Sequence, residues 1–242
     1  MEENKFPSET VELPSKGLVY PVGHPLRSGK VEMKYMTAKE EDILTNQNYI
    51  KKGIVLDKLL DSLVMGKFDI KDLVTGDKNA LLISSRILGY GKDYTFTYDG
   101  TEYTVDLSQL ENKVFDETKV THKGTFMFTL PATGTKVEFK LLSDKDNEAI
   151  DQEIESMKKF NKESSSEITT RLKYQIIAIE GDTDKTNIKS FVEQILAQDS
   201  RALRKYMKDI SPDVNLSTKV KINDVEEDID IPISLSFFWP DL

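Results

Sequence analysis

The stretch from Asp182 to Glu193, DTDKTNIKSFVE, is where this sequence comes nearest to a recognisable chemistry. Asp182, Asp184 and Thr186 fall at the first, third and fifth places of a calcium-binding loop. Ile188 would offer a backbone carbonyl, and Glu193 stands at the twelfth place. Oxygens at that spacing can wrap a hard divalent cation. Two positions argue against it: the sixth, where the turn needs glycine, is Asn187, and the eighth, an apolar pairing position, is Lys189. There is no second loop of this kind. The preferred reading is a polar connection in which Asp184 or Thr186 caps a following helix.

Other chemistries find less support. There are no cysteines, and the only histidines are His24 and His122, so a zinc centre would need an unusual number of carboxylates. His24 sits in a Pro/Gly-rich segment and His122 in a polar loop; both read as surface residues. GYGKDY follows a helix and precedes a strand, the reverse of the order that cradles phosphate on a helix N-terminus. Glu40, Glu41 and Asp42 lie in a first helical turn, where the helix dipole favours acids. No catalytic, cofactor or metal site is expected.

Composition narrows the partners. The 33 basic and 42 acidic side chains leave a net charge of −9, which repels nucleic acid and anionic lipid. No apolar run approaches the ~18 residues of a membrane span. MEENKFPSETVE lacks a signal peptide's apolar core, and the absence of cysteine fits a reducing compartment. The expectation is a cytoplasmic protein. Against this polar background the tail SLSFFWPDL stands out, because chain ends are usually frayed and polar. Phe237, Phe238, Trp239 and Pro240 either dock into the protein's own core or anchor a partner. Leu18 and Tyr20 are second candidates for partner binding.

These residues must be positioned by the surrounding elements. Residues 1–30, with Pro14, Pro21, Pro25, Gly17, Gly23 and Gly29, read as an extended arm that can still dock through Leu13, Leu18, Val19, Tyr20 and Leu26. Val31, Met33 and Tyr35 alternate with charged residues, as a strand does. Thr37 and Glu40 form a capping box that opens a helix. Leu56, Leu59, Leu60 and Leu63 give the apolar face of a second helix, and Asp69 to Leu73 a short helical turn. Asp77 is placed to cap a third helix ending at Gly89 or Gly91. A hairpin follows around Asp99-Gly100. Farther on, Leu172, Ile176 and Ile179 fall on one helical face, and KKFNKESSSEITT reads as a loop.

The second half repeats the order of the first. Leu130-Pro131 echoes Leu13-Pro14. Val137-Glu138-Phe139-Lys140 echoes Val31-Glu32-Met33-Lys34, an offset of 137 − 31 = 106 that also places Ser143 on Thr37. Asp199, Ala202 and Leu203 match Asp77, Ala80 and Leu81, at 199 − 77 = 122. STKVKINDVEEDIDIPI reads as another hairpin, around Asn223-Asp224. The expected fold is α+β: two tandem, duplicated helical modules, each with a β-hairpin, plus the N-terminal arm. Boundaries are expected at 1–30 for the arm, 31–111 for the first module and 112–242 for the second.

Taken in order, ELPSKGLVYP, TAKEEDIL, GDKNALL, RILGYGKDY, AQDSRALR and the terminal FFWP resemble the T-even-type bacteriophage baseplate hub and hub-assembly proteins. The resemblance runs from about residue 11 to the end. It implies a non-enzymatic hub component or hub-assembly factor whose partners are other baseplate or hub proteins, with self-association left open. It places the protein in the host cytoplasm during assembly and in the virion baseplate if retained. Alternatives are a transient chaperone absent from the virion and, remotely, a cell-wall hydrolase. Members of that family often carry C-x-x-C pairs in two hairpin regions that suggest zinc knuckles. Here those places read TYDGTEY and KINDVEED, so the resemblance carries no zinc across.

Overall fold

The computed structural model describes residues 7–160, 166–222, 225–231 and 233–238. The chain opens with strand β1 (Ser8–Glu12), antiparallel to β2 (Lys30–Lys34), which pairs in turn with the short β3 (Val64–Met65). Val31 and Met33 point inward, while Lys30 and Glu32 face solvent, as period-two alternation requires. The loop between β1 and β2 is docked rather than free, and Leu13, Tyr20 and Leu26 are buried. Gly17 has a φ of +76°, and a Cβ there would lie 2.6 Å from the carbonyl oxygens of Leu26 and Arg27. The two limbs of the loop touch backbone to backbone, which only glycine permits.

Helices α1 (Ala38–Leu44), α2 (Gln47–Lys51) and α3 (Val55–Leu63) follow. The Thr37–Glu40 capping box starts α1 as expected. Val55, Leu59, Leu60 and Leu63 make the buried stripe of α3, and Leu56 is half-buried. A turn at Ile70–Asp72, capped by Asp69, leads into α4 (Thr75–Tyr90), which stops at Gly91. Asp77 was expected to cap α4. The helix instead begins two residues earlier, and Asp77 lies inside its first turn. Strands β4 (Asp93–Tyr98) and β5 (Thr101–Asp106) form the hairpin, with Asp99 and Gly100 both at positive φ, as a two-residue turn requires.

In the second half β6 (Phe126–Thr129), β7 (Lys136–Phe139) and β8 (Ile176–Ile179) make another antiparallel three-stranded sheet. Between β7 and β8 lie α5 (Asp144–Phe160) and α6 (Glu167–Gln175). The helical face expected through Leu172, Ile176 and Ile179 does not form: α6 ends at Gln175 and passes directly into β8. The run Ile-Ile-Ala-Ile, three of its four residues β-branched, favours a strand and finds a free edge on β7. Then come α7 (Lys185–Gln194), α8 (Ala197–Ile210) and the hairpin of β9 (Ser217–Ile222) with β10 (Val225–Asp230). The Asn223-Asp224 turn expected for it lies outside the described residues, as do residues 161–165 of the loop expected over KKFNKESSSEITT; the flanking residues 158–160 and 167–170 of that stretch are helical instead, in α5 and α6.

Two hydrophobic cores result. The first gathers β2, α3 and α4; the second gathers β6, β7, α6, α7 and α8. The C-terminal segment does not stay with the second: Val214, Ile231, Phe237 and Phe238 are buried in the first. Val19 and Leu141 touch both cores. The seam between them carries a β-bridge from Val74 to Ser143 and another from Asn112 to Val214. Lys78, on α4, pairs with Asp57 of α3 and Asp144 of α5. Gly76 lies so close to the chain at Pro212 that a Cβ would sit 2.0 Å from its carbonyl oxygen. No described helix is long and apolar enough to cross a membrane.

Candidate functional site

In each half a buried aspartate in the first turn of a long helix grips a loop that begins Leu-Pro. The Asp77 carboxylate accepts the Ser15 amide at 2.9 Å, the Ser15 hydroxyl at 2.6 Å and the Tyr20 hydroxyl at 2.6 Å. Burial raises its pKa above the ordinary carboxylate range even though these hydrogen bonds oppose the shift. Burial beside Asp77 likewise pushes the Tyr20 hydroxyl well up. In the second half Asp199 accepts the Ala132 amide at 2.7 Å, the Thr133 amide at 3.2 Å and the Thr133 hydroxyl at 2.9 Å. Both are structural clamps whose oxygens are occupied.

A second pair of acids closes the helix that follows each central strand. Glu40 is fully buried and accepts the Thr37 amide and hydroxyl, the Ser62 hydroxyl and the Lys34 ammonium. Burial pushes its pKa up, but these donors together outweigh it and hold the value at about 2. Asp146 accepts the Ser143 amide and hydroxyl and pairs with Lys140 at 2.7 Å. Asp146 also lines a groove with Glu153, and Glu153 is held by Lys173 and the Tyr174 hydroxyl. These acids are neutralised by neighbours and offer no free carboxylate to a substrate.

The aromatic tail is an internal anchor as far as it is described. Phe237 and Phe238 are both fully enclosed, their rings 5.4 Å apart and edge to face, and Phe237 lies 4.8 Å from Tyr94 of β4. Arg86 of α4, only 3% exposed, pins this segment: it donates to the carbonyls of Phe237 (3.0 Å), Gly91 (3.0 Å) and Asp93 (3.3 Å). Its guanidinium also lies 5.2 Å from the Tyr90 ring centre. Tyr20, the other buried candidate for partner contact, holds Asp77 and accepts from the Val74 amide. Neither these rings nor Tyr20 presents a face to a partner. Leu18 is half-buried, and Trp239 and Pro240 lie outside the described residues.

The calcium-like stretch resolves into a helix cap. Asp184 accepts the Thr186 and Asn187 amides at the start of α7, and Asp182 accepts the Asp184 amide and the Asn187 side chain. These bonds lower the Asp182 pKa. Among the described residues no group of three or more His, Asp or Glu side chains converges as metal ligands would. His24 is a local cap as well: its Nδ1 accepts the Leu26 amide, while Nε2 lies 3.3 Å from Asp72.

The open feature is a groove of about 440 Å³ where the two halves meet. Leu141, Leu142, Met207 and Pro212 give it an apolar lining beside the exposed Ile168, and its charged residues are Arg171, Arg204, Lys208 and one acid, Glu167. Arg171 pairs with Glu167 and donates to Asn147. Arg204 donates to the Ser200 carbonyl, and among the described residues no carboxylate pairs with Arg204 or Lys208. Both side chains are exposed. Sequence reasoning passed over these cations, although the 122-residue offset already aligned Lys208 with Arg86 and Arg204 with Leu82. Residues 8–239 match the family model described as T4 bacteriophage base plate protein. No curated protein and no solved structure matches the chain.

Proposed function

This chain belongs to the T4 bacteriophage base plate protein family, and on that premise we propose that it works at the baseplate hub, as a hub component or a hub-assembly factor. It acts by binding other baseplate proteins and not by catalysis. The observation that carries the non-enzymatic part is the state of the buried acids: Glu40, Asp77 and Asp199 each have their oxygens bonded to donors of their own half. Among the described residues no buried side-chain nitrogen or oxygen is left without a partner. A catalytic acid or base needs a reachable proton and room for substrate, and these groups have neither. Two compact cores joined across a continuous seam suit a rigid adaptor between larger proteins.

The test is affinity purification of the tagged chain from infected cells, paired with mass spectrometry of purified virions. Recovery with other baseplate proteins supports the proposal. Presence in virions then identifies a hub component, and absence identifies a transient assembly chaperone. Recovery of no baseplate protein overturns it, as would clearing of purified host cell walls by the isolated protein.

A further inference from the structure

We propose that the groove between α6 and α8 is a docking site for an extended segment of a partner protein that carries an aromatic or large apolar anchor among acidic residues. This rests on reading the chain as a binding protein, whether or not it acts at the hub.

Helices α3 and α6 have nine residues each and run without a loop into a strand, so 176 − 64 = 112 carries one onto the other. The clamp aspartates relate α4 to α8 by 199 − 77 = 122. In the first half α3 packs on α4, and Leu59 and Leu82, at 0% and 4% exposure, are both buried in the shared core. The corresponding residues in the second half are Arg171 and Arg204, both on the groove rim. Met36 packs against Gly89 in the first half, and its counterpart Leu142 lines the groove beside Ser211. Arg86 binds the carbonyl of the aromatic tail, while its counterpart Lys208 faces open solvent at the rim. The stripe of α8 that matches a tail-holding stripe of α4 therefore has no segment of this chain lying on it among the described residues.

Charge selects the occupant. Two rim cations have no carboxylate partner among the described residues, in a protein of net charge −9. The N-terminal turn of α4 lines the same groove and adds the positive end of its dipole. The apolar floor with a polar rim is the anatomy of a protein contact. The chain's own Phe237 and Phe238 are already buried, so a second copy has no exposed aromatic pair there to offer. The overall negative charge disfavours a nucleic-acid strand.

The experiment uses the full chain and a fluorescein-labelled peptide, Gly-Asp-Asp-Phe-Trp-Asp-Asp-Gly, followed by fluorescence anisotropy. Saturable binding is expected. It weakens at least tenfold in the R204E/K208E variant and when the peptide's aspartates are changed to asparagine. The K39E/K158E variant, with the same net charge change on exposed lysines elsewhere, binds as the parent does. Thermal melting of each variant checks that it is folded. Absence of saturable binding, or equal weakening in both double variants, overturns the proposal. So does a concentration-dependent dimer lost in R204E/K208E, which assigns the groove to a second copy. Competition by single-stranded oligothymidylate would assign it to nucleic acid. None of these results bears on whether the chain is recovered with baseplate proteins, so the two readings fail separately.

Discussion

The first core is sealed from both ends of the chain, and the second is not. Around α4 the loop after β1, the stripe of α3 and the C-terminal Phe237-Phe238 pair all converge, and Arg86 ties the last of these to the helix. Around α8 a sheet and helices also gather, with two helices between β7 and β8 where the first half has three, and the helix face lined by Arg204, Met207 and Lys208 stays open. The two halves differ in helix number between their strands, and also in the side chains at offset-matched positions. Leucine at positions 59 and 82 draws two helices together by burying apolar area. Arginine at 171 and 204 keeps its charge in water beside the groove. One half is thus closed and the other keeps an open groove.

The strongest way to break this comparison is to unseal the first core. Phe237→Ala deletes a fully buried ring and its contacts with Tyr94 and Phe238, and is expected to cost about 3–5 kcal/mol by urea denaturation. An unchanged midpoint would mean that the tail is not part of the first core in solution.

The two clamps sharpen the comparison further. Asp199→Asn leaves one of two backbone amides facing an NH₂ group, and is expected to cost about 1–3 kcal/mol at neutral pH. Asp77→Asn costs less, because two of its three donors are hydroxyls that can reverse and accept. Asp77 also carries a pH signature. Burial raises the Asp77 pKa in the folded state, so its stabilising contribution is complete below the unfolded carboxylate pKa and is lost as pH rises through the folded value. In Asp77→Asn that slope disappears from stability measured against pH. The smallest effect is expected at α7, where Asp184→Ala removes one cap and costs about 1 kcal/mol. Calcium added to the parent protein should leave its melting temperature unchanged, and a rise would restore the loop reading.

Much of the scaffold was legible because its signals are local. The Thr37–Glu40 capping box, the Asp99-Gly100 turn and the alternation of Val31 and Met33 each specify geometry within a few residues, and each was found where it was read. The misreadings have a common cause. Ile176 and Ile179 fit a helical face by spacing, but the available edge of β7 turned them into a strand. Asp77 fits a cap by type, but the donors that hold it come from residues 15 and 20, some sixty positions away. The groove cations carried no motif at all. Their meaning depends on what faces them across the seam.

Short-range chemistry along the chain was enough to decide most of its turns, caps and helix starts and the alternation of its clearest strands. Those choices rest on backbone sterics, capping and periodicity, which act over one or two turns. Whether the aromatic tail turns inward, and which of two matching helix faces is left uncovered, was decided only when distant segments packed. Burial and desolvation are properties of the assembled surface, and no single stretch of sequence contains them.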